Sequence, residues 1–277
     1  MTKKTAVRKV MLMEKLINYD THHEYVQANE FVTARYSKKM SVIGQKIMRL
    51  AISNCDSMHD GHFYAYEISL SELAKVLDLR KDNIYRDVKT GLSGMAETVI
   101  YIDQDRKNGS YKRLPLFQEC SYNDGRGTVT IEFSPKMTPF FLQVKESFTK
   151  IRLEDIIFMH HKYSIRTYEL IKMHLGKQRK EVYADKHTTI SLSIDEYRKA
   201  TGTENNFRQI GQLKKFVINP AVDDIQEHTG YHFEITYRKE GKKVTGMDIE
   251  VWSRSGWLKK KNPGQINIYD MGEDDSF

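Results

Sequence analysis

Arg208, Gln212, Lys215 and Asn219 recur every three or four residues, so a helix turning about 100° per residue places them on one side. Their chemistry suits nucleic acid. Arg and Lys donate to the acceptors of guanine, Gln and Asn match the donor and acceptor of adenine, and the cations also hold phosphates. Asn206, Ile210, Leu213 and Val217 fall on the opposite, inward side. A solvated charged face on an ordinary surface helix has the same appearance, so the stripe matters only if neighbouring elements aim it outward at DNA.

Residues 190–220 read as a helix-turn-helix that would do this. Ser193 followed three residues later by Glu196 is a capping box, and Gly202 supplies the left-handed residue that closes the short first helix. The same design occurs earlier. A shift of 124 positions maps Ser69 on Ser193, Glu72 on Glu196, Leu73 on Tyr197 and Val76 on Ala200. In the earlier copy Ile84, Val88, Leu92 and Met95 form the inward stripe of the second helix, while Asp82, Arg86, Lys89 and Ser93 lie opposite, with Tyr85 beside them.

Each pair of helices has a helix before it and β-rich sequence after it. Ser41 can cap a helix with Ile43, Ile47, Leu50 and Ala51 inward; Ile165, Tyr168, Ile171 and Leu175 form a matching stripe on a helix that Gly176 is expected to end. After the first pair come TVIYIDQ, YKRLPLFQECSYN and, past an NDGRG turn, TVTIEFS. A hairpin wing there would offer Arg106, Lys107, Lys112 and Arg113 to the DNA backbone. After the second pair, Asn219 and Pro220 either open a further helix or kink a continuous one, and Gly230 is expected to end it. The strands that follow would form a second wing carrying Arg238, Lys239, Lys242 and Lys243. The expected fold is α+β: two tandem winged-helix domains at 25–145 and 146–256, a basic arm at 1–24 that is disordered or weakly helical, and a flexible tail at 257–277.

The net charge is +7, and the last residues are acidic (Asp270, Glu273, Asp274, Asp275), so the body is more basic than the whole and suits a polyanionic partner. No apolar run approaches the roughly 18 residues that span a bilayer, and no secretory signal opens the chain, so a cytoplasmic protein is expected. Cys55 and Cys120 are isolated and read as buried small hydrophobes. No Gly-rich loop ends in Gly-Lys-Ser/Thr. His22–His23 and His160–His161 are adjacent pairs, His59 and His62 sit in a polar turn, and His228 and His232 straddle Gly230; none has metal-ligand spacing. Tyr85, Tyr163 and Tyr168 read as packing or phosphate-contacting residues. No catalytic residue, metal or cofactor is expected.

Four stretches, in order, carry a resemblance: YVQANEFVTARYS with Gln45, LPLFQECSYN, FTKIRLEDIIFMHHKYSIRTYELIKMHLG, and KKFVINPAVDDIQEHTG. Over roughly residues 24–256 the chain resembles the replication initiator (Rep) proteins of theta-replicating plasmids. That resemblance implies a non-enzymatic binder of repeated origin sequences (iterons) in double-stranded DNA. It would open the origin, recruit host replication proteins such as the helicase, its loader or the host initiator, and repress its own gene as a homodimer in equilibrium with the monomer. Arg208, Gln212 and Lys215 would then read bases, with Arg86 and Lys89 as contacts of the first domain. A tandem winged-helix transcriptional regulator remains an alternative, and a rolling-circle nickase a more distant one.

Overall fold

The computed structural model describes residues 14–37, 40–77, 81–105, 110–178, 182 and 187–253. In chain order the first half contains β1 (Glu14–Leu16), β2 (Glu24–Ala28), α1 (Asn29–Thr33), β3 (Arg35–Tyr36), α2 (Val42–Ser53), β4 (Ala65–Ser69), α3 (Leu70–Val76), α4 (Lys81–Ala96), β5 (Val99–Asp105), β6 (Ser110–Pro115), β7 (Phe117–Asn123), β8 (Thr128–Phe133) and α5 (Thr138–Phe141). The second half contains β9 (Phe148–Arg152), α6 (Leu153–Ile157), α7 (Ser164–Lys177), β10 (Thr188–Ser193), α8 (Ile194–Thr201), α9 (Ile210–Leu213), α10 (Asn219–His228), β11 (Tyr231–Glu240) and β12 (Lys243–Ser253).

The repeat seen in the sequence is a repeat of structure. β4 runs into α3 at Ser69, whose hydroxyl accepts from Glu72 N at 3.5 Å, and β10 runs into α8 at Ser193, which accepts from Glu196 N at 3.0 Å. Such a cap is worth about 0.5–2 kcal/mol. Each strand is then covered by the second strand of a hairpin: β8 pairs antiparallel with β4 and with β7, and β12 pairs antiparallel with β10 and with β11. Gly202 closes α8 at φ +64°, as expected.

This topology corrects the expected first wing. The hairpin equivalent to β11–β12 is β7–β8, turning at 124–127, whereas β5–β6, which carries Lys112 and Arg113, belongs to a separate sheet with β3. Arg106 and Lys107 lie outside the described residues. The described part of the arm, residues 14–24, differs from expectation, because β1 pairs parallel with β4 and Ile17 is buried; residues 1–13 lie outside the described residues. α7 runs through Gly176 to Lys177, and α10 ends at His228 with Thr229 extended behind it, so neither Gly176 nor Gly230 is the terminator. Cys55 and Cys120 are thiols, not joined in a disulfide, and only partly buried; burial raises the Cys120 thiol to about 12.

One apolar core runs through both halves. β2 pairs antiparallel with β9, with Tyr25 opposite Ile151. α7 is buried on every side over Ser164–Ile171, which is why it holds charge partners as well as apolar ones. The fully buried Arg49 of α2 donates to both carboxylate oxygens of Glu169 on α7, at 2.9 and 2.8 Å, and Tyr25 donates to the same group at 3.0 Å. Arg166 adds a bond to Glu169 at 3.3 Å and donates to the carbonyls of Val32, Ala34 and Ala200. Burial alone would raise the Glu169 pKa, but Arg49 and Arg166 outweigh it and hold the carboxyl below its usual range.

Candidate nucleic-acid interface

α9 and α10 are one helical run joined by a wide π-type turn over Lys214–Ile218. Pro220 explains the irregularity, since it has no N–H to offer the carbonyl four residues back, and a wide turn relieves the clash its ring would cause. Asn219 is therefore helical, at φ −60°, and the kink is the alternative realised.

The run begins at Ile210, so Arg208 and Asn206 precede it. Asn206 is exposed, not part of the inward stripe, while Leu213 and Val217 are buried and Ile210 half-buried. Arg208 is exposed in the turn between the helices. One residue organises that turn. The Arg198 guanidinium of α8 donates to the carbonyls of Thr203 (3.0 Å), Asn206 (2.9 Å), Phe207 (2.8 Å) and Arg208 (3.3 Å). Phe207 takes a left-handed φ of +52°, a conformation costly for a bulky side chain and sustained here by the Arg198 bonds.

Gln209, Gln212, Lys215, Phe216 and Asn219 are the exposed side chains along the start of this run. Phe216 is 49% exposed, with the Lys215 ammonium 5.3 Å from its ring centroid and Phe207 at 6.1 Å. The polar wheel passed over Phe216 because an apolar residue at that spacing reads as core. Exposure of so large an apolar ring beside the polar residues expected to read bases is the signal that tertiary placement supplies.

At the second wing, Gly241 takes φ +58° and leaves Lys242 and Lys243 exposed at the tip. Lys239 is also exposed, and it lies near enough to Lys214 that, after burial, it helps lower the Lys214 pKa; the Lys214 ammonium sits 3.3 Å from the Tyr237 ring centroid. Arg238 instead turns back on the sheet. Its guanidinium meets Asp248 at 3.1 Å and Leu192 O at 3.1 Å, crossing Gly246 where a Cβ would stand 2.5 Å from it.

On α4 the stripe Ile84, Val88, Leu92, Met95 is buried and Arg86 and Lys89 are exposed. Arg86 bonds Asp87 at 3.2 Å and Asn83 at 3.4 Å. Lys89 reaches across to Asp124 in the β7–β8 turn at 3.3 Å and lies over the Tyr122 ring. Arg126, in the same turn and 71% exposed, is a wing cation absent from the sequence reading. Lys112 and Arg113 are exposed on β6. Among the described residues no group of three His, Cys, Asp or Glu is placed to hold a metal ion, and no helix is long and apolar enough to cross a membrane.

Two winged-helix units in series, each with an outward-facing second helix and a hairpin behind it, define the class. A family profile described as "Initiator Replication protein, WH1" matches residues 24–172 and one described as "Initiator Rep protein, WH2" matches residues 193–251; the chain belongs to this initiator replication protein family. A replication initiation protein of Escherichia coli is 21% identical over 231 residues, 81% of this chain and 68% of that protein. The structure described as Pi initiator protein in complex with iteron DNA shares the fold, with a TM-score of 0.68 at 18% identity over 85% of this chain and 99% of the other.

Proposed function

We propose that this protein starts replication of a plasmid by binding repeated origin sequences in duplex DNA. The observation that carries the reading is the exposed set Gln212, Lys215, Phe216 and Asn219 on a helix whose entry turn is fixed by Arg198 and which is flanked by the lysines of the β11–β12 tip. Gln212, Lys215 and Asn219 supply hydrogen bonds to base edges, and Phe216 an apolar contact of the kind that suits a thymine methyl. Arg208 enters from the turn. Lys239, Lys242 and Lys243 hold phosphates, and Arg86 and Lys89 act from the first unit, with Arg126 beside them; the Lys89–Asp124 pair then exchanges its carboxylate for phosphate. A second winged-helix unit of this kind can occupy a successive major groove, about 34 Å away.

In this reading no bond is hydrolysed: the protein distorts origin DNA, recruits host replication proteins and, as a homodimer, represses its own gene from an inverted repeat. Similarity to a protein named for initiation and to one described in complex with iteron DNA supports the origin role. Footprinting on the DNA flanking its coding sequence should give protection repeating in phase with the helix, and deletion of the gene should abolish plasmid replication. Protection without a replication defect would leave a transcriptional regulator. A covalent protein–DNA adduct formed on supercoiled origin DNA would overturn the non-enzymatic reading.

A further inference from the structure

Beside α4 lies a cavity of about 340 Å³ whose wall includes Ser41, Val42 and Ile43 at the start of α2, Lys46 one turn further on, Asp87 of α4 and His160 of the α6–α7 connection. Lys46 is 4% exposed, and no hydrogen bond or ion pair reaches its ammonium from the described residues. The buried Arg49 and Arg166 share Glu169, and the half-buried Lys172 donates to Tyr231 at 3.1 Å. Asp224, the carboxylate that acts on Lys46 at longer range, is already held by the backbone N–H groups of His160 and His161 and the ring of His228. Burial draws the Lys46 pKa down to about 8, with Asp224 partly opposing. An ammonium largely removed from water without a counter-ion costs folding free energy that a methionine of similar length would not.

The cavity offers a use for it. At the start of the 12-residue α2, Ser41 Oγ accepts from Gly44 N at 3.1 Å, leaving Val42 and Ile43 N–H without an acceptor in the helix. The helix start and Lys46 are both positive and both line the same space, the arrangement that holds an oxyanion. Asp87, exposed beside it, disfavours a dianion and so favours a singly charged phosphodiester. Asp87 also stands next to Arg86, on the helix read above as facing DNA. We propose that this cavity binds a phosphodiester oxyanion through Lys46 Nζ and the first N–H groups of α2, the DNA backbone along α4 being its source. Only the choice of source rests on the DNA-binding reading.

The test uses the full chain and its Lys46→Met and Lys46→Arg variants. Lys46→Met should remain folded with an equal or higher Tm. On a duplex of unrelated sequence it should bind about tenfold more weakly, with its log–log salt dependence shallower by about 0.9, the share of one phosphate, while Lys46→Arg keeps most of both. In the wild type, acylation of Lys46 read by mass spectrometry should be blocked by duplex, which needs no variant to fold. If millimolar inorganic phosphate raises the wild-type Tm and not that of Lys46→Met, while DNA binding is unchanged, the DNA source is overturned and the oxyanion site stands. Unchanged phosphate response, salt slope and acylation overturn the site itself. Wild-type protein that binds no duplex at all would instead defeat the DNA reading.

Discussion

Gln212 and Lys215 are exposed, so their loss should act on recognition alone. Gln212→Ala and Lys215→Ala are each expected to cost about 1–3 kcal/mol of discrimination, roughly 5–150-fold in specific affinity, with an unaltered melting curve. Footprints identical to wild type would mean that another face of α9 meets the bases. Lys46 carries a pH signature. Its folded pKa of about 8 lies below its ordinary 10.5, so between those values the unfolded chain binds more protons and stability rises with pH; below about 8 the whole cost is present. Urea unfolding of wild type and Lys46→Met at pH 7.5, 9 and 10 should show that rise in the wild type and a flatter one in the variant.

At the scale of elements, the helix proposed to read bases depends on a turn that cannot hold itself. Residues 203–208 contain a left-handed Phe207 and end without a side-chain cap on α9, and the fork of Arg198 supplies the bonds that fix them. A lysine there has one ammonium in place of a planar fork and cannot reach four carbonyls at once. Arg198→Lys should therefore leave the fold intact and nonspecific DNA binding unchanged, while specific binding falls about tenfold or more, as each charged hydrogen bond is worth about 1.5–3 kcal/mol. Equal losses on specific and random duplex would remove Arg198 from the positioning role. At the wing, neutralising Lys242 and Lys243 together should weaken specific and random DNA alike and lower the salt slope by about two phosphates' share.

At the scale of the molecule, the two winged-helix units are joined through a buried charge network rather than a linker alone. Glu169→Gln leaves Arg49 and Arg166 buried with a neutral partner, and a cost of about 3–5 kcal/mol is expected, read as a drop in the urea midpoint. Because the apolar core is continuous through both units, unfolding should stay a single transition in wild type by both tryptophan fluorescence and circular dichroism. Two separated transitions would show that the halves fold independently. The tandem arrangement also predicts that Arg86→Ala with Lys89→Ala weakens binding to direct repeats far more than to an inverted repeat bound by a dimer, whereas Arg208→Ala harms both. Gel-shift titrations with light scattering distinguish these; equal losses would refute the division of labour.

What the amino-acid order determined alone is everything that depends on local periodicity and capping. The capped helices at Ser69 and Ser193, the αL residue Gly202, the NDGRG turn and the buried stripes of α4 and α7 all follow from interactions within a few residues. Pairing partners do not. Which of two adjacent hairpins serves as the first wing was decided by long-range registry with β4, and both hairpins have the same local pattern. The stretches YVQANEF and FTKIRLEDII, which carry much of the family resemblance, are far apart in sequence and form the β2–β9 pair that joins the two halves. Arg49, Glu169 and Arg166 look like surface charges on a helical wheel, yet tertiary packing buries them against one another. Arg198 and Lys46 belong to the same class: a charge acquires its meaning from what folding removes water from, and that is a property of the assembled chain.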